Sequence, residues 1–207
     1  NACKGAGVKA LIGCDFYVAS TTRTEKAKDS NGRVAYSMVL LAKNEEGYRN
    51  LCKLSSIGYI EGFYYFPRID KDVLKQHHKG LICIAGASGS RIAQEILTGT
   101  PESTNKEIKE LQDLFGDDFY LELQRHHMSE DQLHEDGFHQ ESWLLQQYED
   151  YIKKQERINE ALISASKELN VPLVATNDSH YINREDWRAH EILLNVQSGE
   201  PCEIWEK

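Results

Sequence analysis

Apolar residues along this chain come in two rhythms, and the rhythms take turns. Compact runs rich in branched and aromatic side chains predict strands over 8–18, 34–42, 81–85, 118–124 and 172–176. Between them, apolar positions three and four apart predict helices. Asn44 caps one in which Tyr48, Leu51, Cys52 and Leu54 share a face. Others are expected over 70–78, 91–97, 100–115 (opened by Thr100-Pro101), 148–169 and 184–196. The polar stretch 20–33 with its Asn-Gly pair reads as a loop or exposed hairpin, 58–68 as a packed aromatic loop, and 128–147 as an exposed excursion. The order β, β-α, β-α-α, β-α, β-α predicts a largely parallel α/β sheet or barrel. With no internal repeat and no Pro- or Gly-rich linker, one domain is expected over 1–207.

In such folds chemistry gathers at the carboxyl ends of strands. Asp15, Ala87, Arg125, His126, Asp178 and His180 all fall at or near these ends. The fullest case is 171–181, V-P-L-V-A-T-N-D-S-H-Y. A short buried strand runs there into Asn177, Asp178, Ser179 and His180. Residues two apart in an extended chain point the same way, which sets a carboxylate beside an imidazole. The pair suits a divalent metal or general acid–base work. It equally suits a strand exit whose Asn and Asp make turn hydrogen bonds.

Composition narrows the field. The 207 residues carry 24 basic and 33 acidic side chains, 24 − 33 = −9. That argues against a non-specific nucleic-acid cradle and leaves room for a basic protein partner. Cys3, Cys14, Cys52, Cys83 and Cys202 are dispersed with no C-x-x-C spacing, which fits buried thiols in a reducing cytoplasm. No apolar run approaches the ~20 residues of a membrane span. The turn Gly86-Ala87-Ser88-Gly89-Ser90 could hold a phosphate at a helix start, but lacks a Walker lysine and a full G-x-G-x-x-G. His77 and His78 read as exposed residues near a helix C-terminus, and His134 and His139 as surface residues. The opening C-K-G-A-G resembles the last turn of a helix with its glycine cap, so the chain reads as starting within a fold, Asn1 and Ala2 set aside.

Four motifs then appear in series: G-A-G-V-K-A-L-I-G-C-D-F-Y-V, L-L-A-K-N-E-E-G-Y-R-N-L, F-Y-L-E-L-Q-R-H and V-P-L-V-A-T-N-D-S-H-Y. Together with D-W-R-A-H-E-I-L-L-N-V-Q-S-G-E they resemble, over nearly the whole chain, the PHP (polymerase and histidinol phosphatase) domain of the bacterial replicative DNA polymerase III alpha subunit. The resemblance implies a distorted (β/α)7 barrel at the start of a much larger polymerase. Here that barrel would be incomplete, because the H-x-H and D-H-G metal motifs normally precede G-A-G-x-K. Where the family commonly has Glu, this chain has Asp15. Where it often has a histidine before the apolar run, this chain has Ser37, and where it offers a cysteine, Ala87. The N-D-x-H pair remains as Asp178 and His180. The resemblance therefore implies a degenerate site, with Asp15, Asp178 and His180 as vestigial ligands. No cofactor is expected, and Zn, Mn or Mg enters only if the site works. The leading expectation is a non-catalytic module, whose partners are the rest of the polymerase chain and the proofreading exonuclease subunit. A metal-dependent phosphoesterase with 3′–5′ exonuclease or pyrophosphatase activity is the second expectation, and an unrelated α/β domain the third.

Overall fold

A computed structural model describes residues 2–135 and 137–198. Asn1, Cys202 and the closing E-I-W-E-K lie outside them. Where the sequence reads as one domain, the contacts divide the chain into two compact units, Asn1–Thr176 and Asn177–Lys207. Each is considered by itself.

The first unit holds β1 (Gly13–Ala19), β2 (Ala35–Ala42), β3 (Arg68–Ile69), β4 (Leu81–Ala85), β5 (Phe119–Gln124) and β6 (Leu173–Thr176). They form an open sheet in the order β3-β1-β2-β4-β5-β6. The largely parallel expectation needs one correction. β2 runs antiparallel to both of its neighbours, while the β1–β3, β4–β5 and β5–β6 pairs are parallel. The cause is the connection from β1 to β2, a surface loop over 20–34 with no crossover helix, and such a loop can only return the chain in reverse. The first strand also starts later than the apolar pattern suggests. Val8, Leu11 and Ile12 are exposed, and Ile12 contributes one carbonyl to the Ala42 N–H at 2.7 Å.

After the single-turn α1 (Ala2–Gly5), the helices of this unit are α2 (Glu45–Ile60), α3 (Lys71–His77), α4 (Arg91–Thr98), α5 (Pro101–Phe115), α6 (Glu130–Glu135) and α7 (Ser142–Leu169). Their starts follow the capping residues. Asn44 Oδ1 accepts from Gly47 N–H at 2.9 Å, Asp70 from Val73 N–H at 3.1 Å and Ser90 from Ala93 N–H at 3.1 Å. Gly47 is required where it stands, since a Cβ there would lie 1.8 Å from the Gly80 carbonyl oxygen. The excursion over 128–147 is more ordered than its polarity predicts. α7 begins at Ser142, and Met128 N–H donates to Tyr148 Oη at 2.7 Å. His78 is not free at the surface either. Its Nδ1 meets the Lys75 carbonyl at 2.7 Å and its ring sits edge-on to Phe115.

The register divides the sheet into two faces. Phe16, Met38, Leu40, Cys83, Phe119 and Leu121 point to one side and are buried against α2, α5 and α7. Cys83 is the expected buried thiol, and enclosure pushes its pKa up. Cys3, Cys14 and Cys52 are exposed, contrary to expectation. The other side carries Asp15, Tyr17, Ser37, Val39, Ile84 and Glu122.

The second unit carries the N-D-x-H residues and α8 (Trp187–Ser198). Among the described residues no helix is long and apolar enough to cross a membrane.

Candidate functional site

Three strand exits bring polar groups to one end of the first unit: β1 at Ala19, β4 at Ala85 and β5 at Gln124. β2 enters at that same end because it runs in reverse, which places Ser37 near the β4 exit. Ser37 N–H donates to the Gly89 carbonyl at 2.9 Å. The turn lies so close that a Cβ on Gly89 would stand 2.6 Å from Ser37 Oγ. A side chain the size of histidine at position 37 would have to displace this turn. Ala87 offers no donor atom at all.

The Gly86–Ser90 turn spends much of its hydrogen-bonding capacity on itself. Ser90 N–H donates to the Ala87 carbonyl at 2.8 Å, and Ser90 Oγ, 2 % exposed, caps α4. Beside it lies a cavity of about 230 Å³ floored by Val18, Met38, Ala85 and Ile92 and edged by Lys71 and Arg91. Both cations are already engaged. Lys71 Nζ lies 2.7 Å from Glu107 and from Glu110. Burial pulls its pKa down, but the two carboxylates outweigh burial and hold the ammonium above its ordinary range. Arg91 meets Glu95 at 2.7 Å and Asp29 at 3.2 Å. With two cations matched by four carboxylates, the cavity's rim is no phosphate cradle.

Asp15 is not at a strand end. It is the third of seven residues in β1, exposed, on the sheet face away from the helices. The displaced start of β1 accounts for the difference. Arg125 and His126 do follow β5, but His126 is drawn into packing against α7. Its backbone N–H donates to Gln155 Oε1 at 2.8 Å and its Nδ1 lies 2.5 Å from Tyr151 Oη.

In the second unit the expected neighbours do meet. His180 Nε2 lies 3.3 Å from Asp178 Oδ1, both side chains more than half exposed. His190 of α8, which the sequence reading passed over, stacks on His180 at 5.0 Å between ring centroids. No helical or strand period links positions 180 and 190, so no sequence signal pointed to it. Glu122 was also missed. It is 5 % exposed, and its Oε1 accepts from Thr176 Oγ1 and, at 3.2 Å, from Gln124 Nε2. Its signal was legible, since the alternation in F-Y-L-E-L-Q sets Tyr120, Glu122 and Gln124 opposite the core-facing leucines.

Among the described residues no group of three or more His, Cys, Asp or Glu side chains is placed to hold a metal ion. A multi-metal phosphoesterase needs several such donors around each pair of ions. Asp178 and His180 supply two donors that lie together, Asp15 stands apart in β1, Ser37 offers a hydroxyl and Ala87 no donor atom.

The sequence profile of the PHP domain matches residues 1–126, more than half of the chain. The chain belongs to the PHP domain family. Its similarity to known proteins runs on past that segment. The DNA polymerase III subunit alpha of Chlamydia pneumoniae is 50% identical over 202 residues, covering 98% of this chain and 16% of the relative. That of Borreliella burgdorferi is 44% identical over 196 residues, 95% of this chain and 15% of the relative. That of Thermus aquaticus is 36% identical over 193 residues, 93% of this chain and 14% of the relative. This PHP domain therefore spans about a sixth of the length of the relatives it matches.

Proposed function

We propose that this PHP domain is a non-catalytic module of a DNA polymerase III alpha subunit, acting in the cytoplasm during DNA replication. Its sheet is one wall of a distorted (β/α)7 barrel. Nucleotidyl transfer belongs to the parent polypeptide, which this module braces, and the proofreading exonuclease subunit docks on it. The observation that carries the reading is the donor chemistry: Ser37 and Ala87 stand where the family resemblance implies a histidine and a cysteine. Losing two donors from a shared metal site weakens ion binding severely.

A second reading keeps Asp15, Asp178 and His180 as ligands of zinc, manganese or magnesium in a phosphoesterase with 3′–5′ exonuclease or pyrophosphatase activity. The closeness of Asp178 to His180 favours it. One assay separates the two. The purified protein, supplemented with manganese, is incubated with 3′-labelled single-stranded DNA and with pyrophosphate. The non-catalytic reading expects no turnover above that of a His180→Ala variant. Turnover that this variant abolishes would establish the phosphoesterase. Retention of the exonuclease subunit on immobilised protein tests the docking role separately.

A further inference from the structure

The loop that joins β1 to β2 carries the chain's one Asn-Gly pair, Asn31-Gly32. Both residues are exposed, and a Cβ on Gly32 would meet nothing within 4 Å, so the pair lies open to water. The backbone around it forms a tight turn. Gly32 N–H donates to the Asp29 carbonyl at 2.9 Å, and Asp29 N–H donates to the Arg33 carbonyl at 2.9 Å. Ser30 and Asn31 keep negative φ, while Gly32 takes a φ of 74°. A type I turn followed by a left-handed glycine closes a three-residue hairpin loop in this way. The Asp29 carboxylate fastens the turn from within. Its Oδ1 accepts from Asn31 N–H at 2.9 Å and from Arg33 N–H at 3.0 Å. Its Oδ2 accepts from Tyr36 Oη at 2.5 Å and from Arg91 Nη1 at 3.2 Å, which ties the turn to β2 and α4.

An asparagine followed by glycine is chemically unstable once its turn opens. The main-chain nitrogen of Gly32, after giving up its proton to water, can attack Asn31 Cγ, because glycine puts no side chain in the way. A bond forms between that nitrogen and Cγ, and the Cγ–Nδ2 bond breaks. Nδ2 leaves as ammonia, taking up a proton in place of the one that Gly32 gave. Water then opens the five-membered imide at either carbonyl and leaves a carboxylate, with the main chain continuing through Cα or, in the other product, through Cβ. In the closed turn the attacking nitrogen holds its proton against the Asp29 carbonyl and is not free to react.

We propose that Asn31 is a site of spontaneous deamidation, kept closed by the Asp29 turn and converted only when that turn opens. Conversion is one-way and changes what the turn can hold. Asn31 Nδ2 lies 3.5 Å from Tyr36 Oη, whose single proton already goes to Asp29. A carboxylate in place of the amide has no hydrogen to offer there and sets a second negative charge beside Asp29. The Cβ-linked product also adds an atom to the main chain inside a three-residue loop. Either change loosens the turn from β2 and α4. The inference stands on this loop alone and does not depend on the proposed function.

For the test, the purified protein and a synthetic peptide spanning 27–35 are incubated at pH 8 and 37 °C, and conversion at position 31 is followed by peptide mass mapping. A reaction that proceeds only from the open form runs at the peptide's rate multiplied by the fraction of time the turn is open. Conversion in the folded protein is expected to be at least fivefold slower than in the peptide. Hydrogen exchange of the Gly32 N–H reports the same fraction independently, and its slowing should match that of deamidation within about threefold. Asp29→Ala, which unfastens the turn, should speed conversion at least threefold. If that variant does not fold, the exchange comparison decides the matter. Protein already converted, separated by anion exchange, should exchange its Arg33 N–H at least threefold faster than unconverted protein. Equal rates in protein and peptide, or an amide that outlasts tenfold the time exchange predicts, would overturn the proposal. So would a folded Asp29→Ala as slow as the unaltered protein, or Arg33 exchange unchanged by conversion.

Discussion

The two faces of the same sheet obey different rules. Leu40 and Leu41 are neighbours in β2, identical in chemistry, and point to opposite sides. Leu40 is fully enclosed among core residues of the helix-covered face, while Leu41 is half-buried. The covered face is closed by this chain's own helices. The other face holds Asp15, Ser37 and Glu122 among aliphatic residues and is not closed by any helix of its unit. The comparison teaches that one layer can build the core on one side while its other side carries the polar residues Asp15, Ser37 and Glu122. Position 37 lies on that second side, against the Gly89 turn.

The largest effect that tests this division should come from the covered face. Leu40→Ala is expected to lose about 3 kcal/mol of unfolding free energy, read from urea denaturation. Leu41→Ala should cost roughly 1 kcal/mol. Equal losses would show that the second face is covered in solution too.

Next comes Asp70, the buried cap of α3, which also accepts from Arg23 N–H and from its guanidinium at 3.0 Å. Asp70→Ala should cost about 2 kcal/mol by thermal melting, because it removes a cap and one of the two carboxylates that pair with Arg23, Glu61 being the other.

A smaller effect follows from pH. Burial alone would raise the pKa of Asp70, but the N–H groups of Arg23 and Val73 and the Arg23 guanidinium outweigh it and hold the carboxyl below its ordinary value. Asp29 is lowered in the same manner, burial being overcome by Tyr36 Oη, the N–H groups of Arg33 and Asn31, and Arg91. A carboxyl depressed in the folded state stabilises it above the unfolded pKa, about 3.9 for Asp, and that stability is lost as pH falls through the lower folded value. Melting temperature should therefore drop below about pH 4. Asp70→Asn should flatten part of that slope.

The smallest effect is expected at the exposed Arg49–Glu45 pair on α2, 2.6 Å apart with both side chains more than two-thirds exposed. Arg49→Ala should change stability by less than about 0.5 kcal/mol.

The helix starts and most strands were legible in the sequence because their causes are local. Asn44 and Thr100 cap where expected, the helices after Asp70 and Ser90 start within a residue of the expected place, and the motif run 118–124 alternates as a strand must. The two-residue β3 carried no periodic signal, and it exists only because Arg68 and Ile69 pair with Tyr17 and Val18 far back in the chain. The reversal of β2 was likewise a matter of connection, not of residue type. At the candidate site, the Asp178–His180 neighbourhood followed from a two-residue spacing. Asp15 was misjudged because the apolar run 8–12 looked like strand and proved not to pair as one. Glu122 and His190 were missed for different reasons, one through an alternation read only for its leucines, the other through a contact that no period encodes.

The account rests on the claim that this PHP domain keeps the family's frame without the side chains that grip ions. Elemental analysis of the protein, purified without chelators and exchanged into metal-free buffer, tests it most directly. The expected result is zinc, manganese and magnesium far below one ion per chain, unchanged in a His180→Ala variant. Stoichiometric metal that this variant releases would contradict the account.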